Sequence, residues 1–198
     1  MNSNASAAVL SETVWQADGA LVWAKRAALV VAGVLVLAIC AKVQLPVPGS
    51  PVPVTLGTFG VLAIGAAYGP RLGLVTLLAY LATGALGVAV FAGEKAGLTY
   101  MMGGTGGYLV GYALAGVALG ALARRGWDRS FAWMALAMLI GNVLIYAPGL
   151  VWLRGFAESW SQTLAWGLTP FLVGDALKLA LAAVLLPALW KFVGRARG

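Results

Sequence analysis

The sequence predicts an all-α integral membrane protein with six transmembrane helices in a compact bundle and both termini in the cytoplasm. Apolar residues make up 62% of its 198 residues and charged residues only 10%, with a mean hydropathy of +0.93. A soluble domain carries about 25% charged residues, so this chain lacks the polar surface that such a fold requires. Each crossing takes roughly 20 residues. We therefore predict a cytoplasmic or interfacial tail over residues 1–22 and one six-helix transmembrane domain over residues 23–198.

The predicted helices are separated by prolines, glycines and short polar segments. The first is preceded by two basic residues and ends before a segment with four prolines, residues 45–55, which cannot be helical and is named the proline loop here. A Gly-Pro-Arg turn follows the short second span. The glycine loop, residues 92–108, precedes the fourth span, and Pro170 lies near the start of the sixth. The predicted spans are 27–41, 54–68, 72–91, a fourth that ends near residue 123, 131–153 and 164–190.

The distribution of basic residues predicts the orientation. With the N-terminus inside, nine basic residues fall on the cytoplasmic side, against Lys42, Lys95 and Arg154 outside. This asymmetry fits the positive-inside rule. The proline loop, the glycine loop and the tryptophan segment, residues 152–166, then share the outer face, where they are able to close over a ligand. The nine inner residues are Lys25, Arg26, Arg71, Arg124, Arg125, Arg129, Lys191, Arg195 and Arg197.

Composition also excludes several classes of function. The basic residues are spread singly between apolar segments, which argues against a nucleic-acid partner despite a net charge of +7. The chain has no histidine, and Cys40 is its single cysteine. We therefore expect no metal site and no cofactor. The chain lacks the set of catalytic groups that an enzyme acting within the membrane requires. A channel requires a continuous polar path across several spans, whereas the ionisable residues here lie near one face.

Asp175 and Lys178 are the most informative residues, because both lie inside the apolar run of the sixth span. Each ionised side chain costs roughly 2.5–3.5 kcal/mol at the centre of a membrane helix. At a spacing of three residues they share a helix face and are able to pair. They are expected about two turns below the outer start of the span, at the floor of an outward-facing pocket. The alternative is a structural ion pair that only fixes helix packing.

Other candidates have both a functional and a structural interpretation. Asn142 and Tyr146 share one face of the fifth span and either line the pocket or hydrogen-bond a neighbouring helix. The glycine loop either exposes backbone N–H groups to a ligand oxygen or is simply a turn. Ala24, Ala28 and Ala32, the alanine row, form a groove for another helix of this chain or of a partner.

Five segments together resemble the BioY family, the biotin-specific S components of energy-coupling factor (ECF) vitamin importers. They occur in the expected order along nearly the whole membrane region, and the GD-x-x-K element is intact. The chain departs from the common family pattern at Gly57, Ala89 and Gly104. The matching segments are PVPVT at 51–55, YLATGALGVAVFAG at 80–93, GGTGGYLVGY at 103–112, IYAPGLVWL at 145–153 and PFLVGDALKLALA at 170–182.

The resemblance implies a non-enzymatic, multi-pass subunit of the cell membrane that binds biotin from the outer side. It also implies partners, namely a membrane coupling subunit and two ATPase subunits, and it assigns the alanine row to docking on the coupling subunit. We expect Asp175 to accept a hydrogen bond from a ureido N–H of biotin and Lys178 to donate one to the ligand. The other residues predicted to bind biotin are Asn142, Tyr146, Thr55, Phe91, Lys95, Gly104 and Tyr108. The alternatives are an S component for another small vitamin or a transporter of another type.

Overall fold

The computed structural model describes residues 7–15, 17–94 and 96–195 and is mainly helical. Five helices are long and apolar enough to cross a membrane in this part of the chain. Their outer surfaces carry exposed leucine and valine side chains, such as Leu139 and Val143. A multi-pass membrane protein explains this surface, because lipid solvates apolar side chains that water does not. The helices are α1 Leu10–Val14, α2 Leu21–Lys42, α3 Gly57–Ala85, α4 Gly97–Met101, α5 Gly106–Ala123, α6 Phe131–Leu153, α7 Trp160–Gly167 and α8 Leu172–Arg195.

Helix α3 is bent so sharply at Gly69 that its two arms, residues 57–68 and 70–85, run back along each other. Gly69 has φ 77° and ψ 176°, a conformation that favours glycine. An ideal Cβ on Gly73 would lie 3.4 Å from Cα of Gly65, although residues eight apart in a straight helix are separated by ~12 Å. The predicted turn between the second and third spans is therefore confirmed.

The long helices pack in chain order. Helix α5 packs against α3 and α6, α2 is attached through α3, and α8 through α6. The segments that connect the helices lie at two ends of the bundle, which are named the site end and the basic end here. The site end carries the proline loop, the glycine loop and α7, and the basic end carries the turn at Gly69, the α5–α6 connection and α1.

The first three spans differ in length from the prediction, and the third ends at Ala85 rather than at residue 91. Helix α2 extends beyond the predicted 27–41, because basic and polar residues near the membrane surface continue the helix. The second span begins later than predicted, since Val54 and Thr55 form β2, which pairs antiparallel with β1 at Gln44–Leu45. The proline loop is thus closed by a two-residue ladder. Within the tail, α1 packs against α3 and α8, and Glu12 pairs with Arg124.

The sixth span also begins later than predicted. The run from 164 is divided into α7, a 3-10 turn at Thr169–Phe171 and α8. Pro170 lies in that turn, and the residue before a proline disfavours helical dihedrals, so the apolar run breaks there. Asp175 consequently lies in the first turn of α8 rather than two turns after the start of the helix. The fifth span, residues 131–153, matches α6 at both ends.

Candidate functional site

The charged pair of α8 is buried and hydrogen-bonded. Lys178 Nζ lies 3.0 Å from Asp175 Oδ1, and the two residues are 7% and 5% exposed. Lys178 also donates to Thr58 Oγ1 at 3.0 Å, and the Tyr146 hydroxyl donates to Asp175 Oδ2. The four side chains form a polar cluster contributed by α3, α6 and α8. Such a satisfied cluster is what makes two charges tolerable in a membrane interior.

A cavity of about 40 Å³ lies directly beside this polar cluster. Thr58 and Tyr146 belong both to the cluster and to the cavity wall, so Asp175 and Lys178 lie one side chain behind that wall. Seven of the lining side chains are aromatic, which gives the cavity flat apolar surfaces and several hydroxyl groups. They are Tyr80, Phe91, Tyr100, Tyr108, Tyr112, Tyr146 and Phe171.

The aromatic rings pack in two groups on either side of the cavity. Phe91 stacks on Tyr100 with a centroid distance of 4.9 Å and meets the edge of Tyr80 at 5.3 Å. Tyr146 contacts Tyr108 and Phe171 edge-on, each at 6.2 Å. Two hydroxyls donate to backbone carbonyls, Tyr80 to Val90 at 3.1 Å and Tyr108 to Gly167, at the end of α7, at 2.9 Å. These contacts fix the ring orientations, so the wall is largely preformed.

Three connecting segments lie together beside the cavity, in agreement with their predicted position on one face of the bundle. The Ser50 hydroxyl of the proline loop donates to the carbonyl of Trp166 at 3.1 Å. A Cβ on Gly104 of the glycine loop would lie 3.0 Å from Cγ of Pro51. Trp152 Nε1 donates to the carbonyl of Gly103 at 2.8 Å. The proline loop, the glycine loop and the tryptophan segment therefore form one cover at the site end.

The structure brings six of the nine predicted ligand residues to this site. Thr55, Phe91, Tyr108 and Tyr146 line the cavity, and Asp175 and Lys178 lie behind Thr58 and Tyr146.

Three predicted residues have other positions. Asn142 lies one turn along α6 from Tyr146 and is not part of the cavity wall among the described residues. Gly104 faces Pro51 and Leu153 in the cover. Lys95 lies outside the described residues.

Several amides of the glycine loop donate hydrogen bonds within the protein. The N–H of Gly106 donates to the carbonyl of Gly103 at 3.1 Å, and that of Tyr108 to Thr105 at 3.0 Å. A Cβ on Gly107 would lie 2.3 Å from the carbonyl oxygen of Pro148. These glycines therefore allow α5 to approach α6 closely, which positions Tyr108 and Tyr146 on the same cavity.

Sequence reasoning missed Thr58, Tyr80, Tyr100 and Tyr112 among the cavity residues. Tyr112 follows Tyr108 by one helical turn, so the spacing of four residues was an available signal. Thr58 stands three residues after Thr55 and carried a similar, weaker signal. The sequence around Tyr80 and Tyr100 contains no feature that predicts a position in the cavity. The residue type does not predict it either, because tyrosines also occur as interfacial anchors in membrane helices.

Comparison with known proteins agrees with this architecture. The sequence matches the BioY family over residues 6–195. A protein named probable biotin transporter BioY, from Pyrococcus horikoshii, is 35% identical over 162 residues, covering 82% of this chain and 94% of the relative. Biotin transporter BioY from Thermotoga maritima is 33% identical over 157 residues, covering 79% of this chain and 92% of the relative.

A solved structure, described as the S-component for biotin from an ECF-type ABC transporter, has the same fold. Its TM-score is 0.78 at 24% sequence identity, and the match covers 88% of this chain and 95% of that chain. The family match extends over both the helices that surround the cavity and those at the basic end. This chain is a member of the BioY family.

Proposed function

We propose that this chain is the substrate-binding membrane subunit, or S component, of an ECF-type vitamin uptake transporter of the cell membrane. It binds biotin from the outer side and delivers it together with an ATP-driven partner module, and it is not itself an enzyme. The names of its BioY relatives support biotin as the ligand. The structural likeness to an S component supports the mode of assembly.

The polar cluster beside an aromatic cavity carries this proposal. Biotin has a ureido group with both N–H donors and a carbonyl acceptor, and an apolar thiophane ring. The ligand displaces the Tyr146 hydroxyl from Asp175, whose freed oxygen then accepts from a ureido N–H. The third N–H of Lys178 and the Thr58 hydroxyl supply donors. The aromatic walls supply the apolar contact that most of a small ligand's surface needs.

Binding requires the cover to move outward. A pocket for a small molecule usually measures roughly 300–1,000 Å³, whereas the cavity here is about 40 Å³. The proline loop is held by the hydrogen bond from Ser50 to Trp166, by the short β1–β2 ladder and by the buried side chain of Val52. Opening of this loop therefore breaks one side-chain hydrogen bond to the tryptophan segment and exposes one core side chain.

The direct test is equilibrium binding of the purified protein to a panel of vitamins, with Asp175→Asn as the site variant. Asparagine keeps the volume but removes the charged acceptor, so we expect biotin affinity to fall roughly 10- to 100-fold. Asp18→Asn is the matched control, because Asp18 is an exposed carboxylate that does not line the cavity. Preferential binding of another vitamin would replace biotin as the ligand, and unchanged affinity in Asp175→Asn would refute the assigned role.

We infer six membrane spans with both termini in the cytoplasm. The reversal of α3 at Gly69 supports counting its arms separately, and the concentration of basic residues at one end supports the orientation. Because Cys40 is the single cysteine, a Cys40→Ser background allows labelling at new positions. An impermeant thiol reagent should label Gln44→Cys in intact cells and Arg125→Cys only after lysis. The reverse pattern would invert the topology.

Coupling to the partner module is assigned to the alanine row of α2. Ala24, Ala28 and Ala32 are all exposed, and small side chains allow close approach of a partner helix. The double substitution Ala28→Trp and Ala32→Trp should leave biotin binding intact but abolish copurification of the coupling and ATPase subunits. Val143→Trp, an equally bulky change on an exposed face of α6, is the control. Normal copurification of the alanine-row variant would contradict the assignment.

A further inference from the structure

A large cleft separates the N-terminal half of α2 from the second arm of α3 at the basic end. Its volume is about 1300 Å³. It closes further along α2, where an ideal Cβ on Gly33 would lie 2.5 Å from Cγ2 of Thr76. Tyr68, the last residue of the first arm of α3, connects that arm to α2 by donating from its hydroxyl to the carbonyl of Leu29 at 2.9 Å. The cleft is therefore a fixed wedge between two helices that diverge toward the membrane surface.

Positive charge dominates the mouth of this cleft. Four basic and two acidic side chains line it. One acid, Glu12, is already paired with Arg124 through two hydrogen bonds. Within the described residues the cleft contains no other ion pair, so Lys25, Arg26 and Arg71 face it with only Asp18 as a counter-charge.

The three cations come from two structural elements and converge on one opening. Lys25 and Arg26 lie on α2, and Arg71 lies two residues after Gly69, at the start of the second arm of α3. Arg26 is held over the ring of Trp23 at 5.0 Å from its centroid, and Lys25 donates to the carbonyl of Trp15. Neither contact neutralises a charge. An anion that enters the mouth is therefore able to meet three cationic groups at once.

The deeper walls of the cleft are apolar. Leu29 and Val30 on α2 face Leu72 and Val75 on the second arm of α3. A soluble anion would leave these walls in contact with the water that enters the cleft with it. An acyl chain attached to the anion would cover them.

We propose that this cleft is a binding site for an anionic phospholipid of the cytoplasmic leaflet. The phosphate lies among Lys25, Arg26 and Arg71, and an acyl chain lies along Leu29 and Val75. Basic pockets between membrane helices on the cytoplasmic side are suited to such head groups. The assignment of the site to the cytoplasmic leaflet rests on the orientation proposed above, whereas the site itself does not.

The test is a lipid titration of the full-length purified protein by native mass spectrometry. Phosphatidylglycerol and phosphatidylcholine with identical acyl chains are compared. We expect the wild type to prefer phosphatidylglycerol, and the double variant Arg26→Gln and Arg71→Gln to lose roughly 10- to 30-fold of that preference. The charge-matched control is Arg125→Gln with Lys191→Gln, because both residues are exposed and lie away from the cleft lining.

A second pair of variants tests the apolar wall. Val75→Trp fills the acyl path and should weaken binding of both lipids, whereas Val143→Trp on the exposed face of α6 should not. Thermal unfolding and size exclusion check that each variant is folded. These checks do not depend on biotin, so failure of the lipid site is distinguishable from failure of the proposed function.

Three results would overturn the proposal. One is equal affinity of the wild type for the two lipids. Another is an equal loss in the cleft variant and its charge-matched control, which indicates attraction to net charge only. The third is displacement of phosphatidylglycerol by soluble glycerol phosphate at matched concentration, which assigns the cleft to a soluble anion.

Discussion

At the site end of the bundle, Asp175 and Lys178 are almost fully buried, and hydroxyls from two other helices complete their hydrogen bonding. At the basic end, Lys25, Arg26 and Arg71 line an open cleft and form no ion pair within the described residues. A charge at membrane depth must bring its partners with it, because hydrocarbon supplies none. A charge at the surface is solvated by water and lipid head groups.

This difference predicts where substitutions have large effects. Loss of one buried partner leaves an uncompensated charge, whereas loss of one surface cation leaves only a small change in the local field. The site end is therefore the less tolerant region, although it is also the region that must admit a ligand.

The largest effect is expected for Lys178→Met. This substitution keeps the length of the side chain but leaves the Asp175 carboxylate buried beside Tyr146 alone. Breaking a buried pair by removing one partner costs about 3–5 kcal/mol. Thermal unfolding of the purified protein measures the loss.

The double variant Asp175→Asn with Lys178→Met provides the control for that prediction. Without either charge, most of the lost stability should return, because a neutral pair needs no compensation. Biotin binding should remain weak in the same variant. Equal stability of the single variant and the wild type would mean that the pair is not held ionised in the folded protein.

Substitution of glycine by alanine is expected to have smaller effects on stability, with opposite signs at the two ends. A Cβ on Gly120 would lie 2.4 Å from the backbone of Gly69 and Pro70, where α5 touches the turn of α3. Gly120→Ala should therefore destabilise by about 1–3 kcal/mol through overpacking. At the site end, a Cβ on Gly174 would meet its nearest atom only at 3.8 Å.

Gly174→Ala is consequently the matched control. It should be neutral or stabilise by about 0.5–1 kcal/mol, because alanine favours a helix more than glycine does. Thermal unfolding of both variants under one condition decides the point. A similar loss of stability in both variants would mean that the close approach of α5 to the turn at Gly69 does not explain the effect of Gly120→Ala.

The sequence predicted the parts of the fold that depend on the bounds of apolar runs. Helix α6 begins and ends as predicted because polar residues flank it on both sides. The start of the sixth span was wrong, since an apolar run does not reveal that Pro170 divides it. The two-residue strands of the proline loop were also missed, because a ladder this short depends on tertiary position.

The candidate site was predictable where charge in an apolar helix marked it. The spacing of three residues between Asp175 and Lys178 correctly predicted their pairing. Their partner Thr58 lies 120 residues away in sequence, and threonine is common in membrane helices. Only the packing of α3 against α8 brings it to Lys178.

The smallest effect concerns Asp128, the one buried acid at the basic end among the described residues. Its Oδ2 accepts a hydrogen bond from Trp190 Nε1, and its Oδ1 has no partner in the described structure. The guanidinium of the adjacent Arg129 lies over the Trp190 ring at 4.4 Å. Burial raises the pKa of Asp128 above 3.8, and the Trp190 hydrogen bond only partly offsets this. Asp128 therefore differs from Asp175, whose two oxygens are both satisfied.

A raised pKa in the folded state means that the native protein holds this proton more tightly than the unfolded chain. The contribution of Asp128 to stability is thus greatest at low pH and declines as pH rises above about 4. Asp128→Asn removes this decline, so its melting temperature should fall less than that of the wild type between about pH 4 and pH 7. Asp18→Asn, at an exposed carboxyl, should follow the wild type. A marked loss of stability in Asp128→Asn at pH 7 would show instead that the carboxylate is needed in its charged form, which would make the two ends of the bundle alike.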